Sequence, residues 1–225
     1  FSLPPWTGFK SYSKRMEPGS MMVHDAWYFV PLIGWYTGLR RTEICGLMLD
    51  DIVESEGLWL FDIRPNDMRR VKTITSIRKL PFAKELIRLG LPEYVQALRD
   101  AGETLLFPEL DAESGKGCIG DRYSKRIWNR LRPHLPFLVP GQAMQAFRHT
   151  SIDALKGVGM PSEIRADLAG HKLSSQTEGR YSKVHLPLLK EAVDAIPVVT
   201  DHLEPFPTTL LPARLRVPSK ARRLK

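Results

Sequence analysis

The chain of 225 residues is 43% hydrophobic, which suits one ordered domain with a sizeable core and excludes a disordered segment. It has no run of about eighteen apolar residues, so no transmembrane helix is expected. Its two cysteines, Cys45 and Cys118, set neither a disulfide framework nor a metal-ligand spacing. A formal net charge of +8 makes a polyanion the natural partner, because every phosphate met by Lys or Arg releases condensed counterions.

Residues 1 to about 20 read as an irregular lead with scattered Pro, Gly and Ser. Phe1-Ser2-Leu3-Pro4-Pro5 lacks the basic start and apolar stretch of a signal peptide, and a start at Phe is read as that of an excised fragment. From Met21 to Tyr36 the chain is densely apolar and aromatic, with Pro31 expected to kink or offset a helix there. Thr37-Gly38 punctuates, and Arg41 to Leu49 resumes a helical pattern, with Glu43 in its first turn where a carboxylate suits the helix dipole. Asp51 to Phe82 reads as β: Leu58 to Ile63 is one strand, Pro65-Asn66-Asp67 a turn, and Val71 to Pro81 an alternating partner strand.

The remainder reads as mostly helical. Lys84 to Ala101 and Ser124 to Leu135 carry helical spacing, and Gln142 to Lys156 is a helix ended by Gly157 and Gly159. Pro161 to Ala169 opens with proline and closes at Gly170. Pro187 to Ile196 is a short amphipathic helix, and from Pro197 the chain turns proline-rich and then basic. The expected architecture is therefore α+β, mainly α with a small antiparallel β-sheet at one edge. One domain over residues 1–200 is followed by a basic, flexible tail over 201–225.

Three distant segments carry chemistry: Tyr36-Thr37-Gly38-Leu39-Arg40-Arg41-Thr42-Glu43, then Phe147-Arg148-His149-Thr150, then Leu168-Ala169-Gly170-His171 followed by Arg180-Tyr181. Taken singly, each has an ordinary explanation: a solvated arginine pair, a histidine beside a helix C-cap, a packed tyrosine. Their order and spacing together resemble the tyrosine recombinases, the phage integrases and their relatives, over about residues 20 to 190. The resemblance implies that Arg40 and Arg148 are the two catalytic arginines and that Glu43 is the acidic residue following the first. It implies that His171 is the downstream histidine, Tyr181 the nucleophile, and Lys72 the general acid on the second strand of the hairpin.

Phosphodiester cleavage asks for these residue types. Negative charge gathers on the non-bridging oxygens, and guanidiniums clamp such oxygens with paired donors. A phenol of pKa near 10 needs a base or cationic surroundings to become a nucleophile, and the departing 5′-oxygen needs a proton. The phosphotyrosyl link conserves the bond energy, so neither cofactor nor metal is expected. By the same resemblance the partner is double-stranded DNA, the working form a homo-tetramer on paired sites, and an N-terminal DNA-binding domain precedes the fragment. The setting implied is the cytoplasm, at bacterial or phage-derived DNA of the nucleoid, with no membrane partner.

Two departures from the family pattern stand out. Gln145 occupies the position, three before Arg148, where the family usually has histidine; an amide can donate to phosphate but cannot shuttle a proton. The interval from His171 to Tyr181 is slightly longer than is common in the family. His149 is expected to point away from Arg148. Two alternatives stay open at this stage: a topoisomerase-like relaxing enzyme with the same tyrosine chemistry, and a recombinase-fold protein that binds DNA without cutting it. The helix from Pro187 to Ile196 can dock on a neighbouring protomer or pack in cis, and the sequence does not choose.

Overall fold

The computed structural model describes residues 1–69, 76–111, 118–135, 138, 144–171 and 186–216. The fold is α+β: among these residues it has eleven α-helices, several only one turn long, four short 3-10 or π turns, and two small antiparallel sheets. No helix among them is long and apolar enough to cross a membrane.

The first twenty residues are ordered rather than irregular. α1 (Pro4–Thr7) leads into a hairpin of β1 (Phe9–Ser11) and β2 (Lys14–Pro18). Apolar anchors outweigh the turn-forming residues here: Trp6 and Phe9 are buried, and the Trp6 indole donates to the carbonyl of Tyr28 at 3.0 Å. Arg15 on β2 pairs with Asp25, both side chains almost fully buried, and lies over the Phe9 ring.

Asp25 also starts the central helix, α2 (Ala26–Thr37). Its carboxylate accepts from the backbone N–H groups of Trp27 at 3.0 Å and Tyr28 at 3.1 Å, two donors that the first turn leaves without helical partners. α2 is apolar all round and buried on nearly every side, as a helix at the centre of a core must be. It runs through Pro31 and ends at Gly38, whose left-handed φ of 63° turns the chain away. α3 (Arg41–Cys45) follows. It is shorter than the spacing predicts, because the chain leaves the helix at Gly46 and closes a separate 3-10 turn over Leu49–Asp51.

A three-stranded sheet comes next, in the order β3 (Ile52–Ser55), β4 (Leu58–Ile63), β5 (Arg78–Pro81). β4 pairs Phe61 with Leu80 and Ile63 with Arg78, so the expected partner strand is found over its last four residues, while 70–75 lie outside the described part. The predicted turn is present: the Asn66 side chain accepts from the N–H groups of Met68 and Arg69, as an Asx turn does.

The single helix expected from Lys84 to Ala101 is two, α4 (Lys84–Arg88) and α5 (Leu91–Asp100), because Gly90 takes a φ of 84° and Pro92 starts a new helix. α6 (Ile119–Tyr123) continues through a π-helical turn (Ser124–Trp128) into α7 (Asn129–Leu131) and a closing 3-10 turn (Arg132–His134). α8 (Gln145–Gly157) crosses α2 closely: a Cβ at Gly34 would meet the Met144 methyl at 2.8 Å. Ser151 reinforces that crossing by donating to the carbonyls of Trp35 and Phe147. α9 (Ser162–Ala169) ends at Gly170, again left-handed at 61°.

α10 (Leu186–Asp194) buries Leu189, Ala192 and Val193 against β5 and α9, so its apolar face packs in cis. The tail expected to be flexible is a packed strap over 201–216. Phe206 stacks on His24 with centroids 4.1 Å apart, the Thr209 N–H donates to His24 Nδ1, and Leu211 joins Phe9 and Val23. α11 (Ala213–Arg216) then ties down through an ion pair of Arg216 with Glu103. Proline content was misleading here, because the apolar residues between the prolines fill a groove beside α2. Residues 217–225 lie outside the described part.

The Arg15–Asp25 pair gives a test of this architecture. Asp25→Ala strips the α2 cap and leaves a buried guanidinium without its partner, a loss of about 3–5 kcal/mol. In thermal unfolding we expect the melting temperature to fall by roughly 10 °C, with a smaller loss for Asp25→Asn, which keeps an N-cap oxygen.

Candidate active site

Four elements bring the site together: the α2–α3 junction, the start of β5, the first turn of α8 and the turn after α9. Arg148, on the α8 face that packs against α2, is 4% exposed. Its guanidinium donates to the carbonyls of Gly38 and Ala169, which lie at the C-terminal ends of α2 and α9, and lies 3.0 Å from His171 Nε2. Helix C-termini carry partial negative charge, so they suit a buried cation. Burial first, and then the neighbouring Arg40 charge, lower its pKa to about 10, which leaves it protonated at neutral pH.

Arg40 is the N-cap residue of α3 and extends over the same region, with Nη2 at 3.5 Å from the Gly170 carbonyl. Its backbone N–H donates to Glu43 Oε2 and its Nη1 to Glu43 Oε1, each at 2.9 Å. Glu43 therefore satisfies the open end of α3 and neutralises one arginine at once. It is buried, which pushes its pKa up; the facing Arg78 and Arg40 outweigh that and bring it below the ordinary 4.5.

Arg78 was not among the site residues expected from sequence. It donates to Glu43 Oε2 at 3.0 Å, to the Leu168 carbonyl at 3.0 Å and to the Ser76 carbonyl at 2.7 Å, and so fastens β5 to both α3 and α9. The signal that could have found it is period two: Ser76 and Leu80 are buried, and an arginine between them must face inward too. Arg69 is a second buried arginine that reasoning from sequence passed over. It bonds the carbonyls of Glu43 and Gly46 at 3.2 Å each and pairs with Asp51, fixing the end of α3 to the base of the sheet.

His171 is exposed on one side, with its ring against Arg148 on the other. Because a guanidinium can only donate, Nε2 must be the accepting nitrogen, and a neutral ring then carries its proton on Nδ1. Burial, then Arg148, Arg40 and Arg78 in turn, hold the imidazole below its ordinary 6.5. Three guanidiniums thus meet around one carboxylate and a neutral imidazole, an arrangement that attracts an oxyanion.

Of the residues expected from sequence, Arg40, Glu43, Arg148 and His171 converge. Lys72 and Tyr181 lie outside the described residues. Gln145, at the first turn of α8, is exposed and lines an apolar groove with Trp35, Phe147 and His149; it makes no hydrogen bond with the described members of the arginine cluster. His149 is exposed and faces that groove, away from Arg148 as expected. No metal-binding group of His, Cys, Asp and Glu occurs among the described residues. Set against known families, curated proteins and solved structures, the chain matches no family model, no curated protein and no solved structure.

Two outcomes follow from this geometry. Gly170→Ala forces a side chain into a left-handed conformation and brings its Cβ to 2.8 Å from Arg78 Nη1. The conformational cost alone is about 1–2 kcal/mol, so unfolding should begin roughly 5 °C lower, and affinity for a test anion should weaken. His171 supplies the second. Its folded pKa lies below 6.5, so its contribution to stability is complete above that value and is lost as pH falls through it towards the depressed pKa. A bound dianion raises that pKa, so anion binding takes up a proton. Sulfate affinity, measured by calorimetry, should rise as pH drops from about 8 to about 5.5, and His171→Gln should flatten the trend.

Proposed function

We propose that this protein cleaves and rejoins DNA strands through a covalent 3′-phosphotyrosine, as a site-specific recombinase of the tyrosine recombinase type. The observation that carries the reading is the meeting of Arg40 and Arg148, 108 positions apart in the sequence, around His171 and the Gly170 turn. A fold that merely needed charge on its surface has no reason to bury guanidiniums from separate helices side by side, since each costs desolvation.

In this reading Arg40 and Arg148 face the non-bridging oxygens of the scissile phosphate. The Tyr181 oxygen attacks phosphorus and loses its phenolic proton to water; the bond from phosphorus to the 5′-oxygen breaks, and Lys72 protonates that oxygen. A 5′-hydroxyl from the partner strand then attacks the phosphotyrosine, giving its proton to Lys72; the bond from phosphorus to the Tyr181 oxygen breaks, and that oxygen takes a proton from water. With Nε2 facing Arg148, His171 is best used as a hydrogen-bond donor through Nδ1, stabilising charge rather than accepting the phenolic proton. Glu43 positions Arg40 and does not touch the phosphate. Recombination joins two DNA sites, and the working assembly in this proposal is a tetramer on double-stranded DNA. Gln145 lines the apolar groove beside His149 and is given no part at the phosphate in this reading.

The test traps the intermediate. The protein is incubated with a pool of random-sequence duplexes nicked so that the cleaved fragment diffuses away, and adducts that survive detergent are counted. Wild type should give an adduct, Tyr181→Phe none, and Arg148→Ala or Arg40→Ala at least about a hundredfold less, as expected when preorganised charge stabilisation is lost. Duplex that is bound yet never attached covalently would leave a DNA-binding protein without cleavage. Joining of two supplied sites separates a recombinase from an enzyme that changes only linking number.

A further inference from the structure

Glu43 is shared between two arginines. Its Oε1 accepts from Arg40 Nη1 at 2.9 Å and from Arg78 Nη1 at 3.3 Å. Its Oε2 accepts from the Arg40 backbone N–H at 2.9 Å and from Arg78 Nη2 at 3.0 Å. A carboxylate offers about four lone-pair sites, so Glu43 is saturated. The two guanidiniums are held very differently. Arg78 also donates to the carbonyls of Leu168 and Ser76, and a Cβ at Gly170 would lie 2.8 Å from its Nη1 and 3.0 Å from its Cζ. It is wedged between β5 and the turn that carries His171, with its side chain 9% exposed. Arg40 is the more open, at 21%, and among the described residues its guanidinium has besides Glu43 only a long contact, 3.5 Å to the Gly170 carbonyl.

This division has an electrostatic consequence. A buried carboxylate needs a cation close by, because loss of water disfavours its charge. With Arg78 in place, that need is met by a residue packed where it cannot leave. Without Arg78, Arg40 is the side-chain cation left to Glu43 among the described residues, and its donors are claimed by the carboxylate rather than by an anion. The charge of the cluster falls too, from three guanidiniums against one carboxylate to two against one.

We propose that Arg78 is a positioning residue of the anion site: it supplies the fixed counter-charge of Glu43 and so leaves the Arg40 guanidinium available to a bound oxyanion. Arg78 does not itself meet the anion. Four of its five N–H groups are committed, Nε to Leu168, Nη1 to Ser76 and Glu43, and Nη2 to Glu43. Its effect on a ligand therefore runs through Glu43. The inference rests on the reading above that Arg40 faces the phosphate, but inorganic sulfate tests it without any cleavage step.

Sulfate binding, measured by calorimetry at a pH above the range in which His171 titrates, tests it in a double-mutant cycle. In the wild-type background Arg78→Met should weaken binding about tenfold, as expected of charges coupled in one network. With Glu43→Gln already in place there is no carboxylate to balance, and the same change should cost less than about threefold. Arg78→Lys separates charge from stitching. One ammonium can balance Glu43 but cannot make the four bonds, so affinity should stay within about threefold of wild type. Should the Met variant not fold, the lysine variant decides alone. An equal loss in both backgrounds would make Arg78 a direct ligand or a structural clasp, and no loss in either would mean that Glu43 never competes for Arg40. A lysine as weak as methionine would assign the effect to the bonds and not to the charge. Each of these overturns the proposal, as does a wild type that binds no sulfate. Sulfate binding as expected, with no covalent DNA adduct in the trapping experiment, would sink strand cleavage and leave the role of Arg78 standing.

Discussion

The structure turns on one buried cation. Arg148 joins the C-terminal ends of α2 and α9 by donating to the carbonyls of Gly38 and Ala169, and it reaches His171 with the same group. Carbonyls at a helix end lack partners of their own, so the guanidinium and the two helix ends answer each other's needs. Both helices close with a left-handed glycine, Gly38 and Gly170, which aims the chain back across the arginine. Remove the cation, and two sets of buried carbonyls and the approach of α8 to α9 lose their common partner. The same contacts that hold the fold therefore hold the site.

Much of this was legible in the chain itself, for identifiable reasons. Gly38 and Gly170 mark helix ends because L side chains avoid the left-handed region, and the structure has helix ends at both. Strand β4 and the Asn66 turn were readable from β-propensity and turn chemistry. Arg40, Glu43, Arg148 and His171 were picked out through order and spacing, and they meet in space. What local pattern could not supply was long-range packing. Nothing near Phe206 announces that it will stack on His24, 182 positions earlier. Prolines around it suggested a loose tail, and burial prevailed over that local signal. The leading residues were misjudged in the same way, because Trp6 and Phe9 find their partners on α2 and the C-terminal strap.

Neighbouring residues in α3 show how a short helix can organise two surfaces. Arg40 is the extended N-cap and Arg41 the first helical residue, so their side chains leave the backbone in different directions. One joins Glu43 and the Gly170 turn; the other holds α6 through Ser124 and Asp121. Glu43 belongs to the first of these surfaces, yet Arg69 bonds its carbonyl and so fixes the helix from below. Movement of α3 would disturb the arginine cluster, the sheet and the outer helix together. Such fixed donors would need no reorientation if charge developed beside them, as the proposed function requires.

The cluster is electrostatically unfinished. Arg40, Arg78 and Arg148 act on His171 together, and among the described residues Glu43 is the carboxylate that opposes them there. Burial first, and repulsion among the crowded cations second, lower the pKa of Arg148 and of the His171 imidazole. A second carboxylate would have relieved the strain and filled the position where an oxyanion can sit. Glu43 instead lies to one side, spent on the α3 backbone and two guanidiniums, and His171 keeps its Nδ1 face towards solvent. An anion bound beside the guanidiniums would relieve that repulsion. A phosphate diester, with one charge shared over two non-bridging oxygens, would suit such a cluster better than a lone halide, because it accepts several directed hydrogen bonds at once.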